Sequence, residues 1–276
     1  MKIKLIFLIA ILIMISGGLA QAFTLPSPIV SADWLAKNKS EVQIVEVATN
    51  LDSFMDQPNK NRTSQAEKRI VVDFGGHIEG SVLIDFSTVR VEKSMGGFKV
   101  NYLIPSQADF QKIVQATGIN NDKPIVLVPF GLNHTDIDQA LRILWQFKVY
   151  GEDNVSILDG GLTGWLAEGR ETSSSNVSKQ KGNWAVKGYR SELVATSEDV
   201  ASASATGKTQ LIDARVQSQY SGQTKSEAVR GYGHINPVGH FKLPHLWPVK
   251  LPQAGWVNYQ STVPSRARRA VASLSR

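Results

Sequence analysis

The chain has 276 residues, 42% of them hydrophobic, and a formal charge of +6. This length admits two domains of ~100–200 residues each, and the composition is that of a globular rather than a disordered chain. There is no cysteine, which excludes disulfides, thiol nucleophiles and cysteine-based metal sites.

At the amino terminus, Lys2 and Lys4 precede an apolar run from Leu5 to Ile15 and a small-x-small site, Ala20-Gln21-Ala22. The pattern predicts a cleavable secretory signal over residues 1–22, cleaved near Ala22, and a periplasmic or secreted mature chain. A retained anchor is the alternative, although the run is shorter than the ~20 residues of a spanning helix. No second run of membrane length follows, so no membrane contact is expected after cleavage. All 24 acidic residues lie between Phe23 and Ile235, where 22 basic residues accompany them. The excess positive charge is therefore at the two ends, and no nucleic-acid partner is expected for the body.

Ser31 is placed to cap a short helix over 31–38. The stretch 42–48, VQIVEVA, reads as a buried strand, residues 49–69 as a polar loop, and 81–86, SVLIDF, as the next strand. A helix is predicted over 105–119, with an apolar stripe of Phe110, Ile113 and Val114 and a stop at Gly118. PIVLV, 124–128, has the continuous apolar character of an inner parallel strand. The clearest helix is 135–148, where Ile137, Leu141, Leu144 and Trp145 share one face. A strand and turn at 155–161 and a short helix at 162–169 complete the unit. This alternation argues for an α/β fold with a parallel sheet between layers of helices.

A second unit begins in the same way. ATSEDVASAS (195–204) repeats the helix of 31–38 at an offset of 165 (Glu198 against Asp33). QLIDAR (210–215) repeats the strand of 42–47, and GHI at 233–235 repeats GHI at 76–78 at an offset of 157 (His234 against His77). One repeat at such a spacing indicates two copies of a domain. The expected organisation is a first domain over 23–171, a Ser/Asn/Lys-rich linker over 172–189, the start of a second domain over 190–235, and a tail over 236–276.

Three segments, GHIEGSVLIDF (76–86), VSILDGGLTGWLAEGRE (155–171) and LIDARVQSQYSGQTKSEAVRGYGHI (211–235), resemble the tandem-domain rhodaneses, the thiosulfate and 3-mercaptopyruvate sulfurtransferases. The resemblance implies two rhodanese-like domains, each a parallel central sheet flanked by helices, the second incomplete here. It implies sulfane-sulfur transfer from a small anionic sulfur compound through a cysteine persulfide, in a loop at a helix amino terminus, without a cofactor. Such a loop stabilises a thiolate with backbone N–H groups and the helix dipole.

On that resemblance, Asp213, Arg215, Tyr220, Gly222, His234 and His77 are motif residues with structural roles, and Phe130, Gly131 and His134 belong to a degenerate first-domain loop. Asp136 and Asp138 beside that loop suit the helix dipole but repel an anion. Gln219 stands where the family often has a substrate-contacting arginine. After Ile235 the resemblance stops. The last 41 residues hold five of the eleven prolines, six basic residues and no acid, and a central strand is not expected there. A shifted reading frame or truncation starting close to Asn236 is one account of this, and a divergent partner-binding tail the other. His234, His240 and His245 could also suggest a metal, but their spacing fits no helix face and no carboxylate lies nearby, so none is expected. The sequence names no protein partner. It leaves two functions: a sulfurtransferase by descent that is inactive because it has no cysteine, or a non-catalytic binding or structural module.

Overall fold

A computed structural model describes residues 23–49, 51–56, 75–175, 177, 180–227, 229 and 231–235 with their side chains, and residues 63–65, 68–70 and 239–240 by their backbone. The expected signal segment and His245 lie outside the described residues. In chain order the elements are β1 (Ile29–Val30), α1 (Ala32–Lys37), β2 (Gln43–Ala48), α2 (Asp52–Met55), β3 (Thr63–Gln65), β4 (Lys68–Ile70), β5 (Val82–Asp85), β6 (Val91–Met95) and β7 (Phe98–Leu103). They continue with α3 (Gln107–Thr117), β8 (Ile125–Pro129), α4 (His134–Val149), β9 (Val155–Leu158), α5 (Gly161–Ala167), α6 (Ser197–Thr206), β10 (Ile212–Asp213), α7 (Gln217–Tyr220) and β11 (Gly239–His240).

The first unit is an α/β layer structure around a five-stranded sheet in the order β1-β9-β8-β2-β5, all pairs parallel. Successive strand side chains point to opposite faces, so the apolar runs of β2 and β8 feed two cores. Val45, Val47, Ile125 and Leu127 pack with Phe110 and Val114 of α3 and with Ile143 and Phe147 of α4. Ile44, Val126 and Val128 pack on the other face with Leu35 of α1 and with Leu162, Trp165 and Leu166 of α5. A parallel sheet needs cover on both faces, and the four helices supply it.

Local chemistry sets the helix ends. The Ser31 hydroxyl accepts the Trp34 N–H at 3.1 Å, and Ser106 caps α3, which ends at the left-handed Gly118, φ 96°. The stretch expected as one polar loop, 49–69, holds the short helix α2 and the strand pair β3–β4. The region 87–104, which carried no expectation, is the antiparallel hairpin β6–β7, turning at Gly96 and Gly97, φ 56° and 80°.

The stretch 172–189, expected as a linker, packs back on the first unit. The Ser173 and His77 backbones bridge at 2.8 Å in both directions. Trp184 is fully buried, edge-on to Phe110 and Phe147. Polar composition hid one large aromatic ring whose burial, worth roughly 25 cal/mol per Å², outweighs the local preference for a free chain.

The second unit repeats the first as far as it is described. Thr196 forms a capping box with Asp199 at the start of α6. β10 pairs in parallel with β11, Ile212 with Gly239 and Asp213 with His240. In the first unit β2 pairs with β5, Val45 with Val82 and Glu46 with Leu83. His240 follows His234 by the same six residues that separate Leu83 from His77. A strand was not expected after Ile235. The backbone supplies one because the register is carried by the GHI element before it, and Gly239–His240 holds no proline.

Candidate functional site

In an open parallel sheet, ligands sit beyond the carboxyl ends of the strands. Here that place is the loop from Pro129 to Asn133, between inner strand β8 and α4. Gly131 has φ 79°, and a Cβ there would stand 2.4 Å from the Gly160 carbonyl oxygen. Gly161 has φ 59°, and a Cβ there would stand 2.3 Å from the Pro129 oxygen. The loop and the Asp159-Gly160-Gly161 turn therefore interlock, backbone against backbone, in a way only glycine permits. Thr163 tightens the contact, its N–H at 2.9 Å and its hydroxyl at 2.6 Å from the Phe130 carbonyl.

The amino end of α4 would suit an anion, since its first N–H groups lack helical partners. The chain fills that end itself. Asp136 Oδ2 accepts the N–H of Leu132 at 2.9 Å and of Asn133 at 3.3 Å. Asn133 Oδ1 accepts the N–H of Thr135 at 2.8 Å and of Asp136 at 3.3 Å. His134 is the first residue of α4 and is exposed. The sequence carried the signal for this closure in Asn133-x-x-Asp136, a capping box, although its consequence for the loop depends on the fold.

The motif residues of the second unit come together. Arg215 Nε lies 2.9 Å from Asp213 Oδ1, and its Nη2 donates to the Gly233 carbonyl at 2.8 Å. A Cβ on Gly222, φ 77°, would stand 3.3 Å from the Gly233 nitrogen. The His234 ring stacks on Tyr220 with centroids 4.0 Å apart, and its Nδ1 lies 2.9 Å from the Tyr220 carbonyl. His77 does the same in the first unit, stacked on Phe54 at 4.2 Å with Nδ1 2.8 Å from the Phe54 carbonyl. A carbonyl can only accept, so Nδ1 carries the proton in each ring.

The two units differ at the acid. Glu46 occupies the register position of Asp213, but Ala48 stands two residues on, where the second unit has Arg215. Glu46 is buried, and its Oε1 accepts the Ile78 N–H at 2.7 Å and the Ser81 hydroxyl at 3.0 Å. Its Oε2 is buried without a partner. Burial pushes this carboxyl up to about 8, against the pull of the Ile78 and Ser81 hydrogen bonds. Sequence reading passed over Glu46, because one acid in a β-branched run carries no sign that its guanidinium is missing.

None of these clusters offers a nucleophile that could hold sulfur. Asp213 and Arg215 pair with each other and His234 stacks on Tyr220, whereas His77 lies in the other unit. Phe130, Gly131 and His134 line a loop closed by its own carboxylate.

Residues 31–168 match the family described as the rhodanese-like domain. The rat thiosulfate sulfurtransferase is 30% identical over 220 residues, 79% of this chain and 69% of the rat protein. The 3-mercaptopyruvate sulfurtransferase of Escherichia coli strain K12 is 27% identical over 196 residues, 70% of this chain and 63% of the relative. A plant relative from Arabidopsis thaliana, thiosulfate/3-mercaptopyruvate sulfurtransferase 2, is 32% identical, but this chain spans only 43% of it. Among solved structures, the 3-mercaptopyruvate sulfotransferase SseA of Escherichia coli superposes with a TM-score of 0.61 at 22% identity, over 86% of this chain and 80% of that one. That likeness speaks for the fold alone, and it agrees with a parallel sheet flanked by helices. From the interlocked loop, the paired GHI histidines and the match over 31–168, the chain belongs to the rhodanese-like domain family.

Proposed function

We propose that this chain is a sulfurtransferase-family protein that does not carry sulfane sulfur itself. The observation behind this reading is the β8–α4 loop, which has no sulfur-bearing side chain and whose Leu132 and Asn133 N–H groups are taken by Asp136. Persulfide chemistry requires a thiolate that forms an S–S bond with the donor and releases the remaining anion. Serine, threonine and aspartate cannot form that bond, and the sequence contains no cysteine. The relatives' names point to the ancestral substrate class, thiosulfate or a mercapto acid. Incubating the pure full chain with thiosulfate and cyanide should yield thiocyanate only at the background rate, with no sulfur added to the intact mass. Clear turnover with a sulfur adduct would overturn the reading.

Export belongs to the same proposal. Lys2 and Lys4, the Leu5–Ile15 run and Ala20-Gln21-Ala22 support it, and a mature amino terminus other than near Phe23 would count against it. The domain limits of 23–171 and 190–235 and the reading-frame break also stand as proposals. The loss of acidic residues after Ile235 supports such a break close to Asn236. Sequencing the coding DNA tests it, since an alternative frame without a cysteine loop would rule it out.

A further inference from the structure

Away from the β8–α4 loop, two arginines share one residue, Tyr102. The Arg90 guanidinium lies between two rings, 4.3 Å from the centroid of Phe86 and 4.9 Å from that of Tyr102. Arg142, on α4, lies over the Trp145 ring at 4.8 Å and donates Nη2–H to the Tyr102 carbonyl at 2.8 Å. Tyr102 reaches both because its backbone is left-handed, φ 64°, the only such non-glycine among the described residues. That conformation is strained for a bulky side chain, and strain of this kind gathers at functional positions. One turn along α4, Gln146 donates to the Val89 carbonyl at 2.8 Å and holds the Arg90 segment against the helix.

Among the described residues no carboxylate lies within salt-bridge distance of either arginine to compensate these charges. Nε of Arg90 and Nε of Arg142 are both buried without an acceptor. A buried donor on a charged group that lacks an acceptor is costly to the fold. Burial first, and then the neighbouring Arg90, hold the Arg142 guanidinium below the usual arginine range. Each guanidinium carbon lies over an aromatic face, and a guanidinium so placed has its N–H edges to offer an acceptor. Such edges take two oxygens of one anion.

The geometry points to a binding site for a small divalent oxyanion, of the sulfate, thiosulfate or phosphate type, held between Arg90 and Arg142 on the hairpin side of α4. The site is independent of the β8–α4 loop and stands whether or not the chain transfers sulfur.

The test follows the Arg Nε–H resonances of the full chain during sulfate titration, with ionic strength held constant by chloride so that general screening does not change. Saturable, one-to-one shifts of the Arg90 and Arg142 signals are expected. Arg142→Gln should weaken sulfate affinity by about tenfold or more, the loss of one charge-assisted pair. Arg90→Gln should do the same, and if it unfolds, the wild-type resonances and Arg142→Gln still decide the matter. Equal shifts in chloride, or undiminished sulfate binding by folded Arg142→Gln, would overturn the site. Binding of an acidic peptide at these resonances without sulfate binding would also overturn it, in favour of a protein carboxylate.

Discussion

The Asp136 carboxylate accepts the backbone N–H of Leu132 at 2.9 Å, folding the β8–α4 loop onto the first turn of its own helix. The contact is both a cap and a plug. Asp136→Ala should destabilise the first unit by about 1 kcal/mol, the usual value of a lost cap, read from urea unfolding. It should not create sulfur transfer, because opening the loop supplies no thiolate. Thiocyanate production by Asp136→Ala above the wild-type background would contradict this.

Glu46 makes stability depend on pH. The folded chain holds the Glu46 proton up to about pH 8, whereas a free carboxyl releases it near 4.5. Between these values folding takes up a proton, so the contribution is greatest below the lower one and is lost as pH rises, by at most about 1.4 kcal/mol per pH unit. Above pH 8 it levels off. Glu46→Gln keeps an acceptor for Ile78 and Ser81 and cannot ionise. Urea midpoints should fall with pH in the wild type and vary less in the variant, with the variant the more stable at pH 8. Parallel pH profiles would refute the role given to Glu46.

Trp184 ties the 172–189 stretch to the first core. Trp184→Ala should cost about 3–5 kcal/mol, the range for removing a buried large aromatic side chain. A fragment ending at residue 180 should unfold at lower urea than one ending at 195. Equal midpoints for the two fragments would mean that the ring contributes nothing.

The paired histidines should differ in weight. His77 is buried, and His77→Leu leaves the Phe54 carbonyl without its donor and removes the stack, for a loss of about 2–3 kcal/mol. His234 makes the same contacts at an exposed site, where water replaces the lost donor, so His234→Leu should cost less than about 1 kcal/mol. Denaturation of both variants checks the order, and a larger loss at His234 would reverse it.

Much of the fold was legible because local signals agreed with the global pattern. Ser31 marked a helix start, Gly118 a helix stop, and the runs 42–48 and 124–128 marked inner strands. The hairpin at 91–103 escaped notice although Gly96-Gly97 is a recognised turn pair, since its strands are exposed and lack a clean alternation. The two-residue strand β1 is too short to carry a period at all, whereas β10 falls within the strand read at 210–215.

Chemistry was legible as composition and motif. A chain without cysteine cannot form a persulfide, whatever its shape, and the GHI, LDGG and D-x-R segments carry the resemblance to the family. Other features required distant segments to meet. Glu46 became a buried acid without a cation because Ile78 and Ser81 fold over it and, among the described residues, no arginine does. Trp184 became core because Phe110 and Phe147 wait for it. Arg90 and Arg142 became neighbours because Tyr102 turns left-handed between them. Burial and charge pairing are sums over residues far apart in the chain, so the order of residues states which groups exist, and packing sets which of them are left without a partner.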